Sequence, residues 1–162
     1  MAAMRVSASN SFPADPSTTH AMLTDAEFLA AVCVASGDLA HRVDATASRS
    51  AVERRMTSPS AVRRLLGDTL TLLQDVRWHP ARPDGARTGE LTLTVQGMPA
   101  RAEVAIDLRP GGRGTVVDFA GEFTINVPLL GRSLEKQAAP ALLAGFDVQQ
   151  QVGDEWLARD RT

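Results

Sequence analysis

The 162-residue sequence has no tyrosine, one cysteine and one lysine, and aromatic residues make up only 4% of it. A single cysteine, Cys33, excludes an internal disulfide. No histidine, cysteine or carboxylate stands near it at metal-ligand spacing, so we expect no metal site and no cofactor. The apolar run around it, LAAVCVA, predicts a buried structural thiol.

The sequence also lacks a dominant charge and a long apolar run. The net charge is −2, and aromatic residues for base stacking are few, so we expect no nucleic-acid partner. No apolar stretch approaches the ~20 residues that span a bilayer, and MAAMRVSASNSF at the N-terminus has no apolar signal core. We expect a cytoplasmic protein without stable membrane insertion, whose oligomeric state is left open.

The first 38 residues predict one strand followed by two short helices. Weak alternation predicts the strand over Met4 to Phe12. Asp15 as N-cap and Pro16 at the first helical position start the first helix. The sequence TDAE, Thr24 to Glu27, predicts a capping box that starts the second helix, and Ser36 to Asp38 ends it.

From Leu39 to Val127 the apolar residues alternate, which predicts six further strands joined by turn-rich segments. Short connections favour consecutive antiparallel pairing. The last strand, Val117 to Val127, is unusually long, and Gly121 in its middle permits a sharp bend. We therefore predict one α+β domain over residues 1–162. In it a curved antiparallel sheet of about seven strands wraps around a long bent C-terminal helix.

The C-terminal segment Leu129 to Ala158 predicts that helix, with Glu135 off its apolar stripe. Pro140 and Gly145 lie inside it, and an interior proline costs ~3 kcal/mol and kinks a helix. Either Pro140 separates two helices, or one bent helix follows the twist of the sheet. In the second case four small residues leave room between helix and sheet, which predicts a cavity. They are Ala138, Ala139, Ala141 and Ala144.

The candidate ligand-binding residues are those that periodicity places toward this cavity. They are His41, Arg54, Gln74, Trp78, Phe119, Phe123, Leu142 and Phe146. His41 is either an acid/base group or a core or rim histidine. Arg54, if inward, needs a carboxylate partner or an anionic headgroup, whereas a one-residue slip would expose it. Gln74 either orients a ligand or is satisfied by backbone, and the aromatic residues either line the cavity or form simple core.

The order of elements resembles the START-like (SRPBCC, polyketide cyclase/dehydrase and lipid-transport) superfamily, which has the helix-grip fold. The resemblance extends from MRVSASNSFPADPSTTHAML through DGARTGELTLTVQGMPARAEV to FTINVPLLGRSLEKQAAPALLAGF. Within the superfamily the sequence is most similar to an uncharacterised bacterial subfamily, for which VPLLGRSLEK, Val127 to Lys136, is typical. The resemblance implies a hydrophobic cavity between the sheet and the last helix, and no catalytic motif of the superfamily is matched.

These observations favour binding or carriage of a small hydrophobic molecule, such as a lipid, an isoprenoid or a polyketide-like compound. The alternative is a cyclase- or dehydrase-type enzyme with His41 as acid/base and Arg54 or Gln74 polarising a carbonyl. A third interpretation is a protein-interaction module that uses the same groove, in which the bent helix or the loop around Leu65 and Leu66 contacts a partner. We assign no catalytic residue.

Overall fold

The computed structural model describes residues 3–159, which form a seven-stranded sheet, three short helices and one long helix. In chain order the elements are β1 (Met4–Phe12), α1 (Pro16–Leu23), α2 (Ala26–Ala35), β2 (Ala40–Ala45), β3 (Arg49–Thr57), a single 3-10 turn (Ser60–Val62), α3 (Arg63–Leu66), β4 (Thr69–Trp78), β5 (Arg87–Val95), β6 (Met98–Gly111), β7 (Gly114–Ile125) and α4 (Gly131–Arg159).

The sheet is an open antiparallel meander, with the first strand added at the edge beside the last strand. Strands β2 to β7 pair consecutively and β1 pairs with β7, so the order is β1-β7-β6-β5-β4-β3-β2. The predicted long last strand is confirmed at 12 residues, although Val127 lies beyond its end. The neighbouring β6 is longer still, at 14 residues. The predicted α+β architecture, an open curved sheet with a long C-terminal helix, is confirmed.

One face of the sheet is apolar because side chains alternate along each strand. On β6 every second residue from Ala100 to Leu108 is buried. Helix α4 packs on this face against β1 and β7, and α2 packs against α4. Phe12 and Phe28, fully buried, belong to the core between these layers.

Helices α1 and α2 begin after aspartates whose carboxylates accept backbone N–H groups. The carboxylate of Asp15 accepts from Thr18 N at 2.8 Å and Pro16 follows it, as predicted. The second cap is Asp25, which accepts from Glu27 N at 2.8 Å, so the prediction of a capping box at Thr24 is wrong. Thr24 instead ends α1 by donating its hydroxyl to the His20 carbonyl.

Helix α4 is continuous from Gly131 to Arg159, so the interpretation in which Pro140 separates two helices is wrong. Pro140 lies on the exposed face of α4, where the carbonyl left unpaired by its missing N–H stays open to water. The helix begins two residues later than the sequence predicts, and Leu129 and Leu130 are exposed before it. No helix within residues 3–159 combines the length and the apolar character needed to cross a membrane.

Glu135 anchors the first turns of α4 to the end of β7. Periodicity placed it off the apolar stripe, but the structure buries it at 6% exposure. Its Oε2 accepts the backbone N–H of Ile125 at 2.9 Å. The prediction of an off-stripe Glu135 is therefore wrong, because it considered only the apolar stripe and not the backbone N–H of Ile125, the last residue of β7, which needs an acceptor.

We expect Glu135→Ala to lower the free energy of unfolding by about 1–3 kcal/mol, since it leaves the buried N–H of Ile125 without an acceptor. Glu135→Gln keeps an acceptor oxygen and should lose clearly less. Urea denaturation of the three proteins measures the difference. Equal stability of Glu135→Ala and the parent protein would show that this contact does not anchor the helix.

The long strand requires glycine at Gly121, for a different reason from the predicted bend, which stays a prediction. It lies on β7 opposite Val6 of β1 and Val104 of β6. A Cβ built there would overlap the backbone carbonyl oxygen of Glu103 and the Cα of Val104. The backbones of β6 and β7 therefore approach too closely at this point for any side chain.

Candidate functional site

A partly open cavity of about 340 Å³ lies between the apolar face of the sheet, α4 and the segments carrying α2 and α3. A water molecule occupies about 30 Å³ in the liquid, so the cavity has room for on the order of ten non-hydrogen atoms. Its wall is mostly aliphatic and aromatic. Four of its lining residues are exposed, and they are Ser36, Arg101, Ala141 and Ala144.

Small residues on α4 leave this space free, as the sequence predicts. Ala138, Ala141, Ala144 and Gly145 all line the cavity, whereas Ala139 is buried outside it. A Cβ at Gly145 would meet no atom within 4 Å. The helix side of the cavity is thus open because short side chains face a wide part of the curved sheet.

Seven of the eight predicted site residues line the cavity. They are Arg54, Gln74, Trp78, Phe119, Phe123, Leu142 and Phe146. Side chains alternate along β3, β4 and β7, so residues far apart in sequence lie on one wall. The sequence analysis predicted their strand faces correctly. Their role in ligand binding stays a prediction.

His41 is the exception. It lies directly opposite Arg54, so its strand face is the predicted one. However, β2 is an edge strand and the His41 side chain is exposed, so His41 is not part of the cavity wall. The prediction that His41 reaches the cavity is wrong, because alternation indicates a face but not how far the covering helix extends over it.

Arg54 faces the cavity and pairs with a carboxylate that the sequence analysis had read only as part of a helix end. Its Nε and Nη2 donate to the two oxygens of Asp38, at 2.6 and 3.0 Å. The Asp38 side chain is only 1% exposed and that of Arg54 12%. Burial disfavours the guanidinium charge, but the hydrogen bonds and charge of Asp38 outweigh it and raise the pKa of Arg54.

Two uncharged polar side chains lie beside this pair. Gln74 on β4 lines the cavity, and its amide makes no hydrogen bond within residues 3–159, so it is not satisfied by backbone. Ser50 on β3 also lines the cavity and was missed. Its spacing from Val52 and Arg54 follows the same alternation and would have found it.

The aromatic residues act both as core and as wall. The rings of Phe119 and Phe146 lie 4.5 Å apart between centroids and close part of the space between β7 and α4. Trp156 is not part of the wall and packs edge-on against Phe28 at 5.6 Å. Neither Phe146 nor Trp156 fills the cavity.

Other parts of the wall gave no usable signal in the sequence. Leu29 and Val32 of α2 line it, as do Pro59 and Val62 of the 3-10 turn. The helical spacing of α2 indicates a packed face but not its neighbour. Of the pair proposed for protein contact, Leu66 lines the cavity and Leu65 is 49% exposed.

Trp78 in the cavity wall is contacted by a buried histidine, His20 of α1. The ring of His20 meets Trp78 edge-on at 5.2 Å. Its Nε2 accepts from Nη1 of Arg87 at 3.2 Å, which requires a neutral imidazole. Burial and the nearby Arg87 charge lower the pKa of His20 below its usual 6.5.

The lowered pKa predicts acid sensitivity. The unfolded chain binds a proton at His20 more readily than the folded chain does. The contribution of neutral His20 to the free energy of unfolding is therefore fully present above pH 6.5 and decreases as the pH falls below that value. Melting temperatures measured between about pH 5 and 7 should fall less steeply in His20→Asn. The exposed His41→Asn is the control and should keep the parent slope. An NMR titration giving His20 a pKa above 6.5 would contradict this.

Cys33 behaves as the predicted structural thiol. It is buried, and burial, the largest cause, raises its pKa to about 11. At neutral pH the sulfur is protonated and therefore a poor nucleophile. Within residues 3–159 no three His, Cys, Asp or Glu side chains are grouped to hold a metal ion.

Similar proteins share the fold across nearly the whole chain. TTHA0849 from Thermus thermophilus has a TM-score of 0.68 and 16% identity, covering 98% of this chain and 100% of that one. A protein from Rhodobacter sphaeroides has a TM-score of 0.61 and 21% identity, covering 98% and 94%. A START superfamily protein from Mycobacterium smegmatis has 0.54 and 14%, covering 91% and 94%.

At these identities the solved structures establish the fold, and the predicted START-like resemblance is confirmed. The comparison with curated proteins finds no match. One family model, described as a protein of unknown function, matches residues 7–157. The chain therefore belongs to the DUF2505 family, and it has the START-like helix-grip fold.

Proposed function

We propose that this protein binds or carries a small, mostly apolar molecule, of the lipid, isoprenoid or polyketide-like kind, in the cavity under α4. The observation that carries the proposal is the cavity itself, with its aliphatic wall and the small residues Ala138, Ala141 and Gly145 opposite the sheet. A volume of about 340 Å³ lies within the range of small-molecule sites.

Apolar burial supplies a large part of the binding free energy. Each buried CH₂ group contributes about 0.8 kcal/mol, so ten carbons give a gross gain of about 8 kcal/mol. Association costs at least about 4 kcal/mol, and the remaining ~4 kcal/mol corresponds to a dissociation constant of about 1 mM before polar contacts are added. Each net hydrogen bond of about 1.4 kcal/mol would tighten this about tenfold.

The composition of the cavity wall favours binding over acid–base catalysis. Arg54 and Arg101 are the ionisable residues of the described wall, and guanidinium groups stay charged at neutral pH. A cyclase or dehydrase that used His41 would need that side chain inside the cavity, where it does not lie.

Native mass spectrometry of freshly purified protein tests the proposal. The sample is compared with the same protein after organic extraction and after incubation with a medium-chain ketone. We expect an added mass, retained from the host or taken up from the ketone, that extraction removes. A protein that stays at its bare mass in every sample would overturn the proposal.

A further inference from the structure

Three polar side chains meet on the cavity wall where β3 and β4 pair. Gln74 lies opposite Val52, so Ser50 and Arg54 are its diagonal neighbours on the same face. Diagonal neighbours are roughly 7–8 Å apart, within reach of long side chains or of a group held between them. All three line the cavity, and we call them the polar strip.

Two members of the strip make no side-chain hydrogen bond with residues 3–159. Ser50 is 1% exposed, yet its hydroxyl makes no hydrogen bond within the described part of the chain. The same is true of the Gln74 amide. Neither group is among the buried polar atoms that lack a partner, which in the described part of the cavity wall are represented by Trp78 Nε1, so both face the open space of the cavity. Leaving such groups unpaired when a ligand displaces water costs free energy. A ligand oxygen placed between them would satisfy both.

Arg54 is matched in charge but has hydrogen-bonding capacity left. Nε and Nη2 donate to Asp38, while Nη1 makes no hydrogen bond within residues 3–159. Since Asp38 is almost fully buried beside it, the pair is electrically neutral where it faces the cavity. It offers N–H donors without offering net positive charge.

The rest of the wall supplies no counter-charge either. Arg101, the other ionisable residue of the described wall, is exposed and pairs with Glu103 at 2.9 Å. A carboxylate entering the cavity would therefore become a poorly compensated buried anion, which is costly. A neutral oxygen accepts from the strip without that cost.

Resting on the function proposed above, we infer that the ligand carries an uncharged oxygen, as a carbonyl, ester or hydroxyl group, bound by the polar strip. Gln74 donates an N–H group to this oxygen, and one of its two diagonal neighbours, the Ser50 hydroxyl or the Nη1 of Arg54, donates the second hydrogen bond. Ser50 and Arg54 lie four residues apart on β3, too far for one oxygen to accept from both. A free fatty acid is disfavoured in its ionised form. The apolar remainder of the ligand lies toward Phe119 and Phe146.

Matched probes of one chain length test this inference. Decane, 2-decanone and decanoate compete with N-phenyl-1-naphthylamine, a neutral apolar dye whose fluorescence rises on binding, at pH 7.5. We expect 2-decanone to bind about tenfold more tightly than decane, which corresponds to one or two net hydrogen bonds. It should also bind at least tenfold more tightly than decanoate. Gln74→Leu should reduce the preference for 2-decanone over decane, while Gln137→Leu, outside the wall, keeps it.

The outcomes separate the two proposals. If decanoate binds as tightly as 2-decanone, the charge argument is overturned. If decane binds as tightly as 2-decanone, the role of the polar strip is overturned. In both cases the cavity still binds apolar molecules. A preference that Gln74→Leu leaves unchanged also overturns the strip. Failure of the dye and all three probes to bind overturns the proposed function and this inference together.

Discussion

Gly153→Ala is expected to destabilise the protein, whereas Gly145→Ala, eight residues earlier in the same helix, is expected to stabilise it. A Cβ at Gly153 would overlap Cε1 of Phe12, a ring with 0% exposure that has no room to move. A Cβ at Gly145 enters the open cavity. Alanine adds up to about 1 kcal/mol of helix propensity at both positions.

The helix contribution cancels in the comparison of the two variants, so their difference isolates the steric overlap, which we expect to cost about 1–3 kcal/mol. Gly145→Ala should unfold at higher urea concentration than the parent protein, by up to about 1 kcal/mol. Urea titrations with a common slope measure both. If Gly153→Ala were as stable as Gly145→Ala, α4 would not pack against β1 as described.

Arg54→Met is expected to cost about 3–5 kcal/mol, because it leaves the nearly inaccessible carboxylate of Asp38 without its counter-ion. The double variant Arg54→Met/Asp38→Leu removes both charges and should recover most of that loss. Denaturation of the single and double variants measures the coupling between the two residues. A loss below about 1 kcal/mol in Arg54→Met would mean that the pair is solvated and that the cavity wall is not neutral there.

Alternation along the strands gave the face of almost every predicted wall residue correctly. Arg54, Gln74 and Phe119 come from three strands, and parity alone brings them to one cavity. Three of the four alanines singled out on α4, Ala138, Ala141 and Ala144, also indicated where space is left, because none has a side chain long enough to fill it.

Interactions between distant elements were not predictable in this way. Asp38 was read as part of a helix end, and nothing local indicates that it pairs with Arg54, 16 residues later. Glu135 looked solvent-facing because the Ile125 N–H that it binds belongs to another element. His41 has the right parity, but its exposure depends on β2 being the edge strand. Each miss concerns which elements are neighbours, which periodicity does not encode.

The two uncharged members of the polar strip show that the sequence pattern and the structure were both needed to identify the candidate site. Gln74 was visible as a polar interruption of an apolar face, with no indication whether the backbone satisfied it. The structure shows its amide and the hydroxyl of Ser50 without partners in the described chain. That combination, and not the polarity of either residue alone, directs attention to a ligand.

The most direct test of the cavity as the binding site is a titration of three proteins with N-phenyl-1-naphthylamine. Gly145→Phe places a ring in the open space, and Ala158→Phe adds the same ring at an exposed position of α4 outside the wall. Melting temperatures establish that all three are folded, and Gly145→Leu replaces Gly145→Phe if that variant is not. We expect the parent protein and Ala158→Phe to bind the dye with similar affinity. Gly145→Phe, whose cavity is filled, should bind it at least tenfold more weakly. Equal binding by all three would contradict a ligand site between the sheet and α4.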